Sequence, residues 1–156
     1  MSYKIDKLAV PIKIDMLTPF TLDANKDWGL TAPATLNTDI SVGSNDFTIY
    51  SGSSYYIEAS VTARNVNRNG AFTFQIYNQT SSIAIGQDAL LNLNGTAASS
   101  ARQGRRVARA LILDSDITSS MVISVRQTSI SGSGWEWDYQ AGGVGYPSVR
   151  VWQLPS

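Results

Sequence analysis

Histidine and cysteine are both missing from the 156 residues, which removes the commonest general base, the commonest metal ligand and the thiolate nucleophile together. Serine–histidine catalysis is excluded outright. Carboxylate pairs remain, because glycoside hydrolysis needs one acid and one base or nucleophile across the scissile bond. The chain has two glutamates, Glu58 and Glu136. Glu136 and Asp138 flank Trp137, with Trp135 and Tyr139 beside them. Aromatics of this kind stack on sugar rings while carboxylates bond the hydroxyls, so Trp135, Glu136, Trp137 and Tyr139 form a candidate glycan-binding loop, with hydrolysis disfavoured. The competing reading is a loop whose aromatics bury in the core or on an oligomer axis.

Asp114 and Asp116 offer oxygen ligands, but calcium needs six to eight of them and no known loop spacing follows. The pair reads as a hairpin turn. Arg102, Arg105, Arg106 and Arg109 form the densest basic patch, with no acid between Ala89 and Leu113. Strand spacing would put Arg105 and Arg109 on the face opposite Arg102 and Arg106. Without interleaved aromatics the patch suits a protein interface or a solvated surface better than nucleic acid, since arginine forms bidentate bonds that specify geometry. There is no GxxxxGK phosphate loop and no GxGxxG after a strand. The expectation is therefore no catalytic residue, no cofactor and no metal.

The balance of the chain points the same way. Twelve basic and twelve acidic residues cancel, so bulk charge calls for neither nucleic acid nor an anionic membrane as partner. Hydrophobic residues make up 43% and charged residues 15%. That is too apolar for disorder and poor in charge for a soluble domain, where about 25% is usual, so some uncharged surface should be interface. The first residues, Met-Ser-Tyr-Lys-Ile-Asp-Lys, lack the apolar core of a secretion signal, and no later run approaches the roughly 20 apolar residues that span a bilayer. Synthesis in the cytoplasm is expected. Two glycosylation sequons, at Asn78 and Asn94, read as ordinary polar loop sequence.

The elements that must position these groups read as strands from about Tyr55 onward. Tyr55, Ile57, Ala59, Val61 and Ala63 alternate with Tyr56, Glu58, Ser60 and Thr62, which predicts a half-buried strand. Asn67-Arg68-Asn69-Gly70 then predicts a hairpin into Phe72, Phe74 and Ile76. Ile83 and Ile85, then Leu90, Leu91 and Leu93, give further short apolar pieces. Val107 to Leu113 and Met121 to Val125 flank the acidic turn as a second predicted hairpin. Ser148 to Leu154 closes the chain with large apolar groups on both faces. Many short strands with turn signals every ten residues or so predict a sandwich or barrel. Residues 1–38 differ: Pro11, Pro19 and Pro33 lie here, as do all four lysines. Ile5, Leu8, Val10, Ile12, Ile14 and Leu17 are too apolar for a free tail. This arm should pack on its own core, a neighbouring subunit or a scaffold.

The segment from about Ser41 to Leu154 resembles the trimeric jelly rolls of the tumour-necrosis-factor and complement-head type, especially versions found in bacteriophage structural proteins. The likeness rests on Tyr55-Tyr56-Ile57-Glu58-Ala59-Ser60-Val61, Phe72-Thr73-Phe74-Gln75-Ile76-Tyr77-Asn78, Arg109-Ala110-Leu111-Ile112-Leu113-Asp114 and the closing Ser148-Val149-Arg150-Val151-Trp152-Gln153-Leu154. The family's usual Gly-Asp is replaced here by Asp114-Ser115-Asp116-Ile117. The resemblance implies an all-β jelly-roll sandwich over residues 39–156, a homotrimer joined through the sandwich flank, and no catalytic residues. With the arm at 1–38 as anchor, it implies a virion structural protein that decorates or cements a phage capsid. Its partners would be copies of itself and the major capsid or another virion protein. The alternative is a fibre or spike tip that binds a host glycan through the aromatic loop.

Overall fold

Alternation along the sequence becomes alternation of burial. In β7 (Gly70–Asn78) every even-numbered residue is buried and every odd one half-exposed. In β6 (Ser54–Asn65), Tyr55, Ile57, Ala59, Val61 and Ala63 are all but fully buried, as period-two patterning requires of a strand with one face on a core. The computed structural model describes residues 12–16, 26–31, 40–65, 67, 70–92, 102–137 and 148–154. Among them the other strands are β1 (Ile12–Met16), β2 (Lys26–Asp27), β3 (Leu30–Thr31), β4 (Ile40–Val42), β5 (Phe47–Tyr50), β8 (Ile83–Asn92), β9 (Arg102–Ile112), β10 (Ser120–Gly132), β11 (Trp135–Trp137) and β12 (Ser148–Leu154). The described residues contain no α-helix, only a 3-10 turn at Asp114–Asp116.

All strand pairs are antiparallel, and together they make one curled sheet in the order β3-β1-β12-β6-β9-β8-β7-β10-β5-β4. Beyond this path β11 pairs with β6 and β2 with β10. The curl brings the two halves of the sheet onto a single core. Ile57, Ala59 and Val61 of β6, Ala108 and Ala110 of β9, and Val149 and Val151 of β12 pack in one cluster with Phe47 and Ile49 of β5, Phe72, Phe74 and Ile76 of β7, and Ile123 and Val125 of β10. An aromatic row runs through it: Trp28 lies 5.0 Å from Phe74, Phe74 lies 5.9 Å from Phe72, and Trp135 stands edge-on to Phe72 at 5.1 Å. Such offset and edge contacts add to the burial of large apolar area.

Both predicted hairpins are overturned. β6 pairs with β9, β11 and β12 and never with β7; β10 pairs with β7, β5 and β2 and never with β9. The segments at Asn67 and at Asp114–Asp116 therefore carry the chain from one half of the sheet to the other. Turn residues signal a change of direction, whereas partner choice is set by distant strands. The tight hairpins among the described residues are instead β4–β5, where Val42 stands opposite Phe47, and β7–β8, where Asn78 stands opposite Ile83 and Ser82 takes a positive φ of 58°.

β8 and β9 join the two halves at one ladder position, Gln87 opposite Arg109. Gly86 makes this crossing possible. Its φ is +74°, and a Cβ there would collide with the Arg109 carbonyl oxygen and the Ala110 backbone. Gly86→Ala would thus impose both a left-handed conformation on an L residue and a backbone clash. It is expected to destabilise the fold by about 3 kcal/mol, seen as a lower denaturant midpoint at unchanged m-value.

Candidate functional site

The curled sheet has two flanks, and the chain treats them differently. At one flank the ends of the sheet meet and are strapped together by residues 26–31. The strap starts on β10, with Lys26 and Asp27 opposite Gln127 and Arg126, and ends on β1, with Leu30 and Thr31 opposite Met16 and Asp15. Between, the Trp28 N–H donates to the Val125 carbonyl at 2.9 Å, and the Leu30 N–H donates to the Ser44 carbonyl at 2.7 Å. Trp28 and Leu30 point into the core, 2% and 5% exposed. Asp27 fixes the strap. Its Oδ1 accepts from Arg126 Nε at 2.7 Å and from the Ser124 hydroxyl at 2.9 Å, and its Oδ2 accepts from Arg126 Nη2 at 3.0 Å and Gln79 Nε2 at 3.3 Å. The Arg126 guanidinium lies 3.6 Å from the Tyr77 ring centroid. Hydrogen bonding to Asp27 raises the Arg126 pKa further above its ordinary value, against the opposing effect of desolvation. A bidentate, ring-stacked arginine is geometrically demanding, so this flank is closed and locked.

The opposite flank is left open. Above Gln87 and Arg109 the ladder stops, and β8 and β9 diverge around a groove of about 590 Å³. Ile83, Ile85, Leu111, Ile112 and Met121 give it apolar walls; Asn78, Thr80, Asp116 and Ser119 are among its polar lining. Ile83 is 53% exposed and Leu111 58%, with Leu113 nearby at 49%. These large aliphatic groups lie together next to two strand edges and are not scattered singly over the surface. Below the crossing the seam is covered: Arg106 Nε donates to the Leu90 carbonyl at 3.0 Å.

From Leu111 the apolar surface continues onto the outer face of β6 and β12. Leu111 stands opposite Tyr56, and Tyr56 opposite Trp152, their rings 5.4 Å apart. The Tyr56 hydroxyl donates to Glu58 Oε1 at 3.0 Å, and Arg109 Nε donates to the same oxygen at 3.0 Å. Burial first, and the Glu58 carboxylate second, push the Tyr56 phenol above its ordinary value; it stays neutral and donating at pH 7. The arrangement is an apolar and aromatic surface with one ordered ion pair. The described residues hold no group of three acidic, histidine or cysteine side chains that could bind a metal.

The arginines of β9 occupy different ladder positions. Arg105 and Arg109 stand opposite Thr62 and Glu58, whereas Arg106 stands opposite Val61. Arg109 is taken up by Glu58 and Arg106 by backbone carbonyls of Leu90 and Arg105. Arg102 lies opposite Asn65 in the ladder, its side chain outside the described residues. Of the aromatic loop, Trp135 is half-buried against Phe72 and its Nε1 donates to the Ser131 carbonyl at 2.9 Å. Glu136 and Trp137 continue β11 opposite Arg64 and Ala63; their side chains, and all of Tyr139, lie outside the described residues. In the arm, Ile12 packs partly buried against the core and Ile14 stands opposite Val149 in β1. Ile5, Leu8, Val10 and Leu17 lie outside the described residues. Asp114 Oδ1 accepts from the Gly52 N–H at 2.6 Å, tying the turn to the connection before β6, and Asp116 Oδ2 accepts from the Leu113 N–H at 3.2 Å within the turn.

Sequence reasoning missed the open flank and the strap. Leu111 alternates with the buried Ala110 and Ile112 like any outward-facing strand residue, and nothing local reveals that it borders a groove where β8 and β9 part. Asp27-Trp28-Gly29-Leu30 carried a usable signal, a tryptophan and a leucine two apart beside a charge. Compared with known proteins, the chain matches no family model and no curated protein.

Proposed function

We propose that this chain is a non-enzymatic jelly-roll module that assembles with copies of itself, as a homotrimer, and serves as a capsid decoration or cement protein of a virion. The open flank at β8 and β9 is the observation that carries the self-assembly reading. One flank is strapped and salt-bridged shut, while the other exposes Ile83, Leu111 and Leu113 around an apolar groove. A chain that secures one flank and leaves aliphatic groups bare on the other gains stability when a further copy covers them. The strand order supports a jelly roll, with β3-β1-β12-β6-β9 and β8-β7-β10-β5-β4 as its two facing sheets. The groove and the N-terminal arm are different surfaces, and contacts between unlike surfaces close into rings when the rotation permits.

The virion setting rests on the family resemblance of the strand motifs. The competing glycan-tip reading is weakened at Trp135, whose ring packs on Phe72 and whose N–H is spent on Ser131. The test is co-sedimentation of the purified chain with emptied capsids from the same source. Decoration predicts saturable binding and a higher temperature of capsid rupture. Free chain that stays in the supernatant and instead competes with virions for host cells would replace this reading with the glycan tip.

A further inference from the structure

We propose that the outer face of β12, β6 and β9 binds an acidic sugar, a pyranose carrying a carboxylate. The register lays two rows across these three strands. Trp152, Tyr56 and Leu111 stand side by side in one row, and Arg150, Glu58 and Arg109 in the next. Alternate residues of a strand share a face and lie about 7 Å apart, so a ring resting on the aromatic row carries its substituents over the charged one. The Tyr56 and Trp152 rings are 5.4 Å apart, inclined at 44°, and both half-buried. An aromatic face is apolar in contact and negative in its quadrupole, which suits the C–H bonds that line one side of a pyranose.

The charged row supplies the polar half of such a site. Glu58 Oε1 accepts from the Tyr56 hydroxyl and from Arg109 Nε, each at 3.0 Å. These contacts hold the carboxylate and the guanidinium in place. Among the described residues nothing bonds to Glu58 Oε2, to the Arg109 Nη groups or to the side chain of the exposed Arg150. An acceptor and a fork of donors are thus ordered before a ligand arrives, which lowers the cost of binding. Glu58 Oε2 can accept from a sugar hydroxyl, while a guanidinium gives paired bonds to a carboxylate. Two arginines against one glutamate leave one positive charge in excess, so an anionic sugar is preferred over a neutral one. A second copy of this chain suits the face less well, because an apolar protein surface would desolvate these three charges without pairing them. Single-stranded nucleic acid also suits it less well, since Glu58 in the middle of the row repels phosphates.

Calorimetric titration of the full-length chain tests the site with two acidic sugars, trigalacturonate and sialyllactose, and with their neutral counterparts, the methyl ester of the first and lactose. At least one acidic sugar should bind saturably, and its neutral counterpart at least about tenfold more weakly, the factor for losing one charged hydrogen bond. Which of the two binds identifies the sugar as a uronate or a sialate. Arg109→Gln and Arg150→Gln, both at exposed positions, should weaken binding by a similar factor, as should Trp152→Ala; the two arginine variants carry the test if Trp152→Ala lowers stability. Arg106→Gln, whose Nε is taken by the Leu90 carbonyl, should leave binding unchanged. So should Ile83→Asp in the groove, which keeps this site separate from the self-assembly reading. No binding of either acidic sugar, equal binding of the neutral ones, or affinity unchanged in both arginine variants would overturn the proposal. Tighter binding of an oligothymidylate would overturn it too and assign the face to single-stranded nucleic acid.

Discussion

Leu111→Asp is expected to yield a folded monomer. The side chain is more than half exposed and faces outward from β9, so the isolated fold loses little, within the few tenths of a kcal/mol usual for surface changes. Under the proposed self-assembly through the open flank, the assembly loses far more. A carboxylate would enter an apolar cleft already bordered by Asp116, so an incoming surface would have to desolvate it without a partner. A central position in the proposed interface would cost at least about 2 kcal/mol, or roughly thirty-fold in the dissociation constant of the self-association. Ile83→Asp, on the facing wall of the same cleft, should act in the same direction. Unchanged circular dichroism with a drop in solution mass is the signature; unchanged mass would show that copies meet elsewhere.

Trp28→Ala has the largest expected effect on the fold itself. Trp28 is 2% exposed, packs its ring at a tilt against Phe74 at 5.0 Å, and sits at the centre of a strap that touches both halves of the sheet. Truncating a buried tryptophan leaves a cavity that relaxes only partly, at about 3–5 kcal/mol. For a chain of this length each kcal/mol lowers Tm by about 2–4 °C, so a fall of about 10 °C is expected. Trp28→Phe should lose much less because an aromatic ring still faces Phe74. If Trp28→Ala melts at the wild-type temperature, the strap is not part of the cooperative unit.

These effects fall on residues that the sequence marked unevenly. Faces were legible: Tyr55 through Ala63 and Val149 with Val151 point inward as their alternation requires, because side-chain direction is fixed by a local period. Neighbours were not. The turn chemistry at Asn67 and Asp114 is the same whether the next strand returns beside the last or crosses to the far half, and the crossing wins because β6 and β9 pair along eleven positions. Exposure at the flank was hidden for a related reason. Leu111 and Ile112 look alike in sequence, yet Ile112 turns inward and Leu111 outward at a strand whose next neighbour has diverged. Strand spacing already divided the arginine cluster between two faces; what the sequence could not show is that Glu58 and the Leu90 carbonyl claim Arg109 and Arg106. Residues 1–38 stand apart on composition as an arm expected to pack on its own core, a neighbouring subunit or a scaffold. Of their described parts, 12–16, 26–27 and 30–31 are strands of the sheet, with Ile12, Trp28 and Leu30 packed on its core.

Sedimentation equilibrium of the purified wild-type chain, across a range of concentrations, tests self-assembly through the open flank most directly. The expected result is a species of three times the 16.9 kDa chain mass that reverts to single chains in Leu111→Asp. A wild-type protein that remains at the single-chain mass at every concentration would contradict it.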